Sequence, residues 1–167
     1  NSYATGSITG TGPVNSTSAG GLVGTNYDTG SISNSYATGL IIGVAGTTGG
    51  LVQNNVSGGA ITNSYWNTET SGQATSAGGT GLTTAQMMQM SSFNTWDIAN
   101  TGGSSVVWRI YEGSTAPLLR SFLTPLALDN TSVTYNGTTQ AGATTALANT
   151  FGSAASGRNV TSYSSAY

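Results

Sequence analysis

Self-similarity constrains the fold of this chain more than any other feature of its sequence. The segment Asn-Ser-Tyr-Ala-Thr-Gly at residues 1–6 returns at residues 34–39, and a third, altered copy begins at Asn63. The segment Gly-Gly-Leu-Val at residues 20–23 returns at residues 49–52, an offset of 29. Internal periods of roughly 20–50 residues are typical of architectures in which identical units stack on one another.

Each repeat reads as three short strands, because Gly, Asn and Ser bound its apolar stretches. A helix is disfavoured, since glycine costs a helix about 1 kcal/mol per residue relative to alanine. Three strands can wind once around an axis, and successive coils then stack about 4.8 Å apart. The predicted fold is therefore all-β: a β-solenoid of about three coils, an atypical capping segment with one short helix, and a small β-rich segment.

Stacked coils place equivalent residues above one another, so the repeat also predicts ladders of like side chains. Tyr36 is expected above Tyr65, with Tyr3 as a third rung. Strict alternation along the strand favours an outward position for these tyrosines, whereas a bend at Gly6 would reverse it. The aliphatic ladders are expected to pair Leu22 with Leu51 and Val23 with Val52, and to include the stretches around Ile8, Ile32 and Ile61.

The segments Asn-Ser-Tyr-Ala-Thr-Gly and Gly-Gly-Leu-Val-Gly resemble the GLUG repeat of large bacterial adhesins. The resemblance covers residues 1 to about 68, and three linked segments that recur in order make it specific. It implies a filamentous-haemagglutinin-like exoprotein exported by two-partner secretion, at the bacterial cell surface or in the extracellular matrix. The expected function is structural or adhesive, in cell adhesion or biofilm matrix formation, with a self-assembling extracellular fibre as the alternative.

After the solenoid, assigned to residues 1–80 and ending in a Gly/Ser/Thr linker from residue 71, a capping segment is expected at residues 81–123. Thr83 and Gln86 fit a capping box, which predicts the start of a helix. Residues 106–111 predict a strand. The stretches Leu-Thr-Thr-Ala-Gln-Met and Trp-Arg-Ile-Tyr-Glu-Gly also resemble the segment that commonly closes a run of GLUG repeats.

Two interpretations of the tryptophans follow from this capping segment. A cap would cover the open sheet edge at the end of the stack and bury Trp96 and Trp108. Alternatively, Trp66, Trp96 and Trp108 would line a ligand groove, since aromatic side chains bind sugars and peptides.

Residues 124–167 change character again and resemble the start of a small β-rich stalk repeat of the MBG or YDG type. Strand-like residues there lead into an Asn-Gly pair at residues 136–137, the strongest short signal for a hairpin turn. This piece is expected to be incomplete as a folding unit.

The inventory of reactive side chains argues against catalysis. Histidine, cysteine and lysine are absent, which excludes the usual triads, thiol nucleophiles and Schiff-base lysines. The five acids are scattered from Asp28 to Asp129, whereas a glycosidase needs two carboxyl groups that flank one bond. We therefore expect no enzyme activity, no cofactor and no metal centre. A weak ion held by Asn26 and Asp28 is an alternative, and a carbohydrate-binding or carbohydrate-active β-helix is the least favoured function.

The low charge of the chain limits the kinds of partner that it can bind. Charged residues make up 5% of the chain and the net charge is -2, so no basic patch for nucleic acid is expected. No apolar run reaches the roughly 18 residues of a membrane-spanning helix. The expected partners are glycans or proteins of host or bacterial surfaces, or copies of the chain itself. Glycosylation is a further expectation, at the sequon residues Asn15, Asn55, Asn130, Asn136 and Asn159.

Overall fold

In the computed structural model of the chain, the described residues are 1–11, 18–43, 46–101 and 104–123. They are rich in short strands and contain only short helices, consistent with the all-β class. Asn1–Arg120 form one compact unit, and Ser121–Tyr167 form a second. The stalk repeat expected at residues 124–167 lies outside the described residues, and the three-part division of the chain stays a prediction.

In their described residues, the first and second repeats each contain five short strands, where the sequence predicted three. Glycine and asparagine corners divide the expected strands into shorter pieces. The first repeat has β1 (Ser2–Ala4), β2 (Ile8–Thr9), β3 (Ala19–Gly20), β4 (Val23–Tyr27) and β5 (Ser31–Ser33). The second has β6 (Ser35–Ala37), β7 (Ile41–Ile42), β8 (Thr48–Gly49), β9 (Val52–Val56) and β10 (Ala60–Thr62).

Each strand of the first repeat pairs in parallel with its counterpart in the second, so these sheets are small and parallel. Tyr36 pairs with Tyr65 of the third copy, as predicted. Val23 pairs with Val52, again as predicted. The backbone nitrogen of Leu22 donates to the carbonyl oxygen of Leu51 at 2.9 Å, which confirms that the two leucines are neighbours.

The expected aliphatic ladder divides into two. Ile32 pairs with Ile61, but Ile8 pairs with Ile41. Ile8 and Ile41 precede the stretch in which repeat length varies, whereas Ile32 and Ile61 follow it. They therefore occupy different strands of the repeat, and the prediction that grouped Ile8 with the other two was wrong.

Equivalent corners of successive repeats share a left-handed backbone. Asp28 and Ser57 have φ of 51° and 57°, and Asn34 and Asn63 have φ of 47° and 45°. Asn and Asp tolerate this conformation better than most residues, because their short polar side chains bond locally. The recurring asparagine that opens each Asn-Ser-Tyr segment thus marks a sharp corner in the chain.

The stretch predicted as a linker from residue 71 belongs to the stack instead. It follows β11 (Tyr65–Asn67) and α1 (Thr68–Ser71) and ends in β12 (Thr80–Leu82), which pairs in parallel with β11. On the way, the nitrogen of Gly50 donates to the Thr75 carbonyl and that of Ala77 to the Val52 carbonyl, each at 2.9 Å. Small Gly, Ser and Thr residues here suit close packing against the preceding repeat.

The remaining described segment is less regular than predicted. Its elements are α2 (Thr84–Met87), a 3₁₀ helix (Met90–Phe93), β13 (Ile98–Ala99), β14 (Trp108–Arg109), β15 (Leu118–Leu119) and a second 3₁₀ helix (Arg120–Phe122). The capping box at Thr83 and Gln86 is confirmed, with both of its reciprocal hydrogen bonds present. The strand expected at residues 106–111 is shorter, and α1 and the 3₁₀ helices add to the one helix predicted.

Two buried clusters hold the described residues together. The aliphatic core lies between the repeats and contains Ile32, Ala37, Leu51, Val52 and Trp66. The aromatic core contains Tyr36, Met87, Phe93, Trp96, Trp108 and Ile110. Tyr36 and Ala37 are adjacent in β6 and point to different cores, as strand alternation requires. Among the described residues, no helix is long and apolar enough to cross a membrane.

Candidate functional site

The tyrosine ladder is the central feature of the aromatic core. The rings of Tyr3 and Tyr36 stack with centroids 5.4 Å apart and planes inclined by 11°. Tyr36 is only 1% exposed, and its hydroxyl donates to the carbonyl oxygen of Pro117 at 2.7 Å. Burial, with a smaller contribution from Tyr3, raises the pKa of Tyr36 well above its usual value. The middle rung of the ladder, Tyr36, is therefore a buried and neutral part of the fold.

Two tryptophans lie against successive rungs of this ladder. The ring centroid of Trp108 lies 6.2 Å from that of Tyr3 and 6.0 Å from that of Tyr36. Trp96 lies 6.4 Å from Tyr36 and 5.8 Å from Tyr65. The two indole centroids are 4.6 Å apart, and Phe93 meets Tyr65 edge-on. Such tilted arrangements are the favoured geometry for aromatic pairs.

The indole nitrogens attach this segment to both the first and the third copy of the Asn-Ser-Tyr motif. Trp108 Nε1 donates to Asn1 Oδ1 at 3.1 Å, and Trp96 Nε1 donates to the Asn63 carbonyl at 2.8 Å. We call residues 84–120 the aromatic cover, because they lie along the tyrosine ladder. The predicted burial of Trp96 and Trp108 is confirmed, at 6% and 0% exposure.

The aromatic cover follows the tyrosine ladder from the first copy of the motif to the third. Its expected role as a cap over the end of the stack stays a prediction. The tyrosines point away from the aliphatic core, the direction that alternation favoured, but Tyr36 is buried and Tyr3 and Tyr65 are only partly exposed. A stripe of three aromatic side chains is a large apolar surface, and burying it is favourable in water.

Trp66 lies apart from the other two tryptophans. Its ring belongs to the aliphatic core, and its Nε1 donates to the carbonyl oxygen of Gln73 at 3.0 Å. A Cβ at Gly50 would come within 2.1 Å of the Trp66 ring, so the ring packs directly on that backbone. The three tryptophans therefore do not line one groove, because alternation sends Trp66 and Tyr65 to different cores.

Three of the four acids in the described part of the chain accept hydrogen bonds from backbone nitrogens. Glu69 Oε2 accepts a hydrogen bond from the nitrogen of Thr84 at 2.9 Å, and its contacts with Thr84 lower the pKa of Glu69. Asp97 Oδ2 accepts from the nitrogen of Val107 at 3.0 Å, and Glu112 accepts from that of Met90. Asp129 lies outside the described residues. Within the described part of the chain, no group of three or more His, Cys, Asp or Glu residues is placed to hold a metal ion.

The asparagines of β4 and β9 form a short polar ladder. Asn26 Nδ2 donates to Asn55 Oδ1 at 2.9 Å, and Asn55 Nδ2 donates to the Gly59 carbonyl at 2.8 Å. Glycosylation at Asn55 would replace a hydrogen on the nitrogen that makes this last bond. The other sequon residues, Asn15, Asn130, Asn136 and Asn159, lie outside the described residues, and glycosylation stays a prediction. Asn26 is a member of this ladder, and Asp28 is the residue with left-handed backbone at the corner after β4.

Comparison with known proteins gives one match. A family model described as the GLUG motif matches residues 15–43, which include the second Asn-Ser-Tyr-Ala-Thr-Gly segment. No curated protein and no solved structure matches the chain. The predicted GLUG resemblance is thus supported over this segment, whereas the haemagglutinin-like context and the stalk repeat stay predictions.

Proposed function

We propose that the repeats form a short β-solenoid that serves as a structural or adhesive segment of a secreted bacterial surface protein. The observation that carries the proposal is the parallel, strand-by-strand pairing of successive repeats with equivalent residues in register. In a chain that winds in this way, each repeat packs on its neighbours, so a body can be built from small residues. The GLUG match supports a place at the cell surface, since that motif occurs in extracellular and surface proteins.

The proposed role is mechanical or adhesive, and not catalytic. The sequence has no histidine, cysteine or lysine, and the carboxylates Glu69, Asp97 and Glu112 bind backbone nitrogens. A general acid or base must be within hydrogen-bond reach of a proton on the substrate, whereas these carboxylates are bonded to the backbone. The test is a polysaccharide-cleavage assay of the chain. Cleavage that disappears when Asp28, Glu69, Asp97, Glu112 and Asp129 are changed to Asn or Gln would contradict the structural role.

The adhesive role is tested by display of the 167-residue chain on a non-adherent bacterium. We expect retention under flow on host cells or in a biofilm to rise relative to cells without the chain. Trp108→Ala, displayed in equal amount, is the control, because loss of the buried Trp108 ring should unfold the aromatic cover. Equal retention by cells with the parent and with no displayed chain would contradict an adhesive function.

A self-assembling fibre is the second candidate, and the strands of the first repeat favour it. Among the described residues, β1 to β5 each have a partner along one edge only. None of these strands contains a charged residue or proline, the usual protection of a sheet edge. Thr25→Lys places a charge on exposed β4. Filaments of the parent that fail to form with Thr25→Lys would support the fibre, and a parent that stays monomeric at high concentration would contradict it.

A further inference from the structure

The three-stranded sheet of β13, β14 and β15 has one face away from the aromatic core. Trp108 pairs with Leu119 and with Ile98, and all three contact that core. Strand alternation therefore turns their neighbours outward. We call this outer surface the arginine face; it consists of Val107, Arg109, Tyr111, Leu118 and Arg120.

Both arginines in the described part of the chain lie on this face. Arg109 is paired with Leu118, and the nitrogen of Arg120 donates to the Val107 carbonyl at 2.9 Å. The two arginines are thus diagonal neighbours on adjacent antiparallel strands, a spacing of roughly 7–8 Å. In a chain with three cationic side chains among 167 residues, this is a marked concentration of positive charge.

Each guanidinium is held in place by a backbone carbonyl. Arg109 Nη1 donates to the Ala99 carbonyl at 3.0 Å, and Arg120 Nε donates to the Val106 carbonyl at 2.8 Å. Within the described residues, neither guanidinium pairs with a carboxylate. Each retains further N–H donors, which suit bidentate binding of a carboxylate or sulfate group.

Tyr111 gives the face an aromatic surface. The Cζ atom of Arg109 lies 4.7 Å from the centroid of the Tyr111 ring, which is cation–π geometry. The Tyr111 side chain is 42% exposed. An exposed ring beside a fixed cation presents an apolar surface for the C–H face of a sugar and a donor for the acid group on that sugar.

We propose that the arginine face binds an acidic polysaccharide, a polymer of uronic acids or sulfated sugars. The inference rests on the proposed adhesive function and names the ligand class. The net charge of -2 offers a polyanion no general attraction, and two of the three arginines of the chain lie on this face. The face is an open sheet surface with an exposed tyrosine, which suits a sugar ring better than an acidic peptide backbone.

The experiment measures binding of the intact chain to immobilised alginate, a uronic-acid polymer, with neutral dextran as the comparison. We expect binding to alginate, weakened by added salt, and none to dextran. Arg109→Gln and Arg120→Gln should each weaken binding roughly tenfold, the usual effect of losing a charge-assisted hydrogen bond. Tyr111→Ala should also weaken it. Sulfated dextran distinguishes sulfate from carboxylate as the group recognised.

Matched controls separate the site from general charge. Arg158→Gln removes the same charge from the third arginine, and Tyr27→Ala removes a tyrosine that is 64% exposed; neither should change binding. Asp97→Asn keeps an acceptor for the Val107 nitrogen but removes a negative charge that contacts the backbone of this face, and should tighten binding. Unchanged near-ultraviolet circular dichroism confirms that each variant is folded.

Three results would overturn the inference: no binding to either alginate or sulfated dextran, equal binding to neutral dextran, or equal loss with Arg158→Gln. Binding of polyglutamate that matches alginate in strength would show that the face recognises charge alone, which overturns a sugar ligand. The adhesive function fails by a different result: the displayed chain does not increase the retention of cells. That result does not depend on whether the purified chain binds alginate.

Discussion

The aliphatic core and the aromatic core of this protein are built from residues at different distances along the chain. The aliphatic core joins residues one repeat apart, such as Val23 with Val52. The aromatic core joins Trp108 to Asn1, 107 residues apart. When contacts join only adjacent repeats, the free energy of unfolding is approximately the sum of the stability of each repeat and of each interface between neighbours. The aromatic cover, by contrast, connects the first copy of the motif to the third.

We expect the aromatic cover to make the unfolding of this short stack cooperative. Three copies of a repeat expose much surface for the small core between them, and fraying from either end costs little. A segment hydrogen-bonded to Asn1 and to Asn63 opposes fraying at both copies at once. The following variants test whether the two cores differ in this way.

Trp108→Ala should have the largest effect. The ring is fully buried, and such a truncation costs about 3–5 kcal/mol of unfolding free energy. Because Trp108 contacts both Tyr3 and Tyr36, the loss should also broaden the urea transition as the repeats unfold separately. Equilibrium unfolding followed by circular dichroism measures both. A single sharp transition at the parent midpoint would show that the cover does not couple the repeats.

Gly50→Ala tests the aliphatic core. Its Cβ would lie within 2.1 Å of the Trp66 ring, and overpacking of this kind costs about 1–3 kcal/mol. Gly6→Ala is the matched control, since a Cβ there meets nothing within 4 Å. We expect thermal melting to shift for Gly50→Ala only. Equal melting temperatures for the two variants would mean that Trp66 does not pack on Gly50.

Tyr36→Phe tests the contribution of a single hydrogen bond, because it removes one hydroxyl from the aromatic core. The Pro117 carbonyl loses its hydrogen bond, which should lower the unfolding free energy by about 1 kcal/mol. Tyr27→Phe serves as the control, because Tyr27 is exposed and its hydroxyl should contribute little. Urea denaturation compares the two. An unchanged midpoint for Tyr36→Phe would argue that the cover is held by apolar packing alone.

The smallest expected effect concerns Glu69, which connects the first turn of α1 to the start of α2. Folding lowers the pKa of this carboxyl, so its contribution is present at neutral pH and lost as pH falls through the folded pKa. In Glu69→Gln that part of the acid dependence should vanish. Thermal melting between pH 7 and about pH 3 measures the difference from the parent. Parallel pH profiles for the two proteins would contradict the assignment.

Much of the aliphatic core was predictable from the sequence. The recurrence of Asn-Ser-Tyr and Gly-Gly-Leu-Val indicated which residues pair, and Thr83 and Gln86 indicated where α2 begins. The assignment of Ile8 failed because residue type alone does not reveal position within a repeat of variable length. The stretch from residue 71 was mistaken for a linker, because it joins the stack without repeating the motif.

The register of the repeats follows from the sequence alone, because recurring segments bring like residues into contact one layer apart. The sequence could not determine what covers the tyrosines, since the contact of Trp108 with Asn1 leaves no periodic signal. The separation of Trp66 from Trp96 and Trp108 likewise came only from the tertiary structure. The sequence shows which residues are aromatic. Whether each ring packs in the aliphatic or the aromatic core depends on strand alternation and on the position of the aromatic cover.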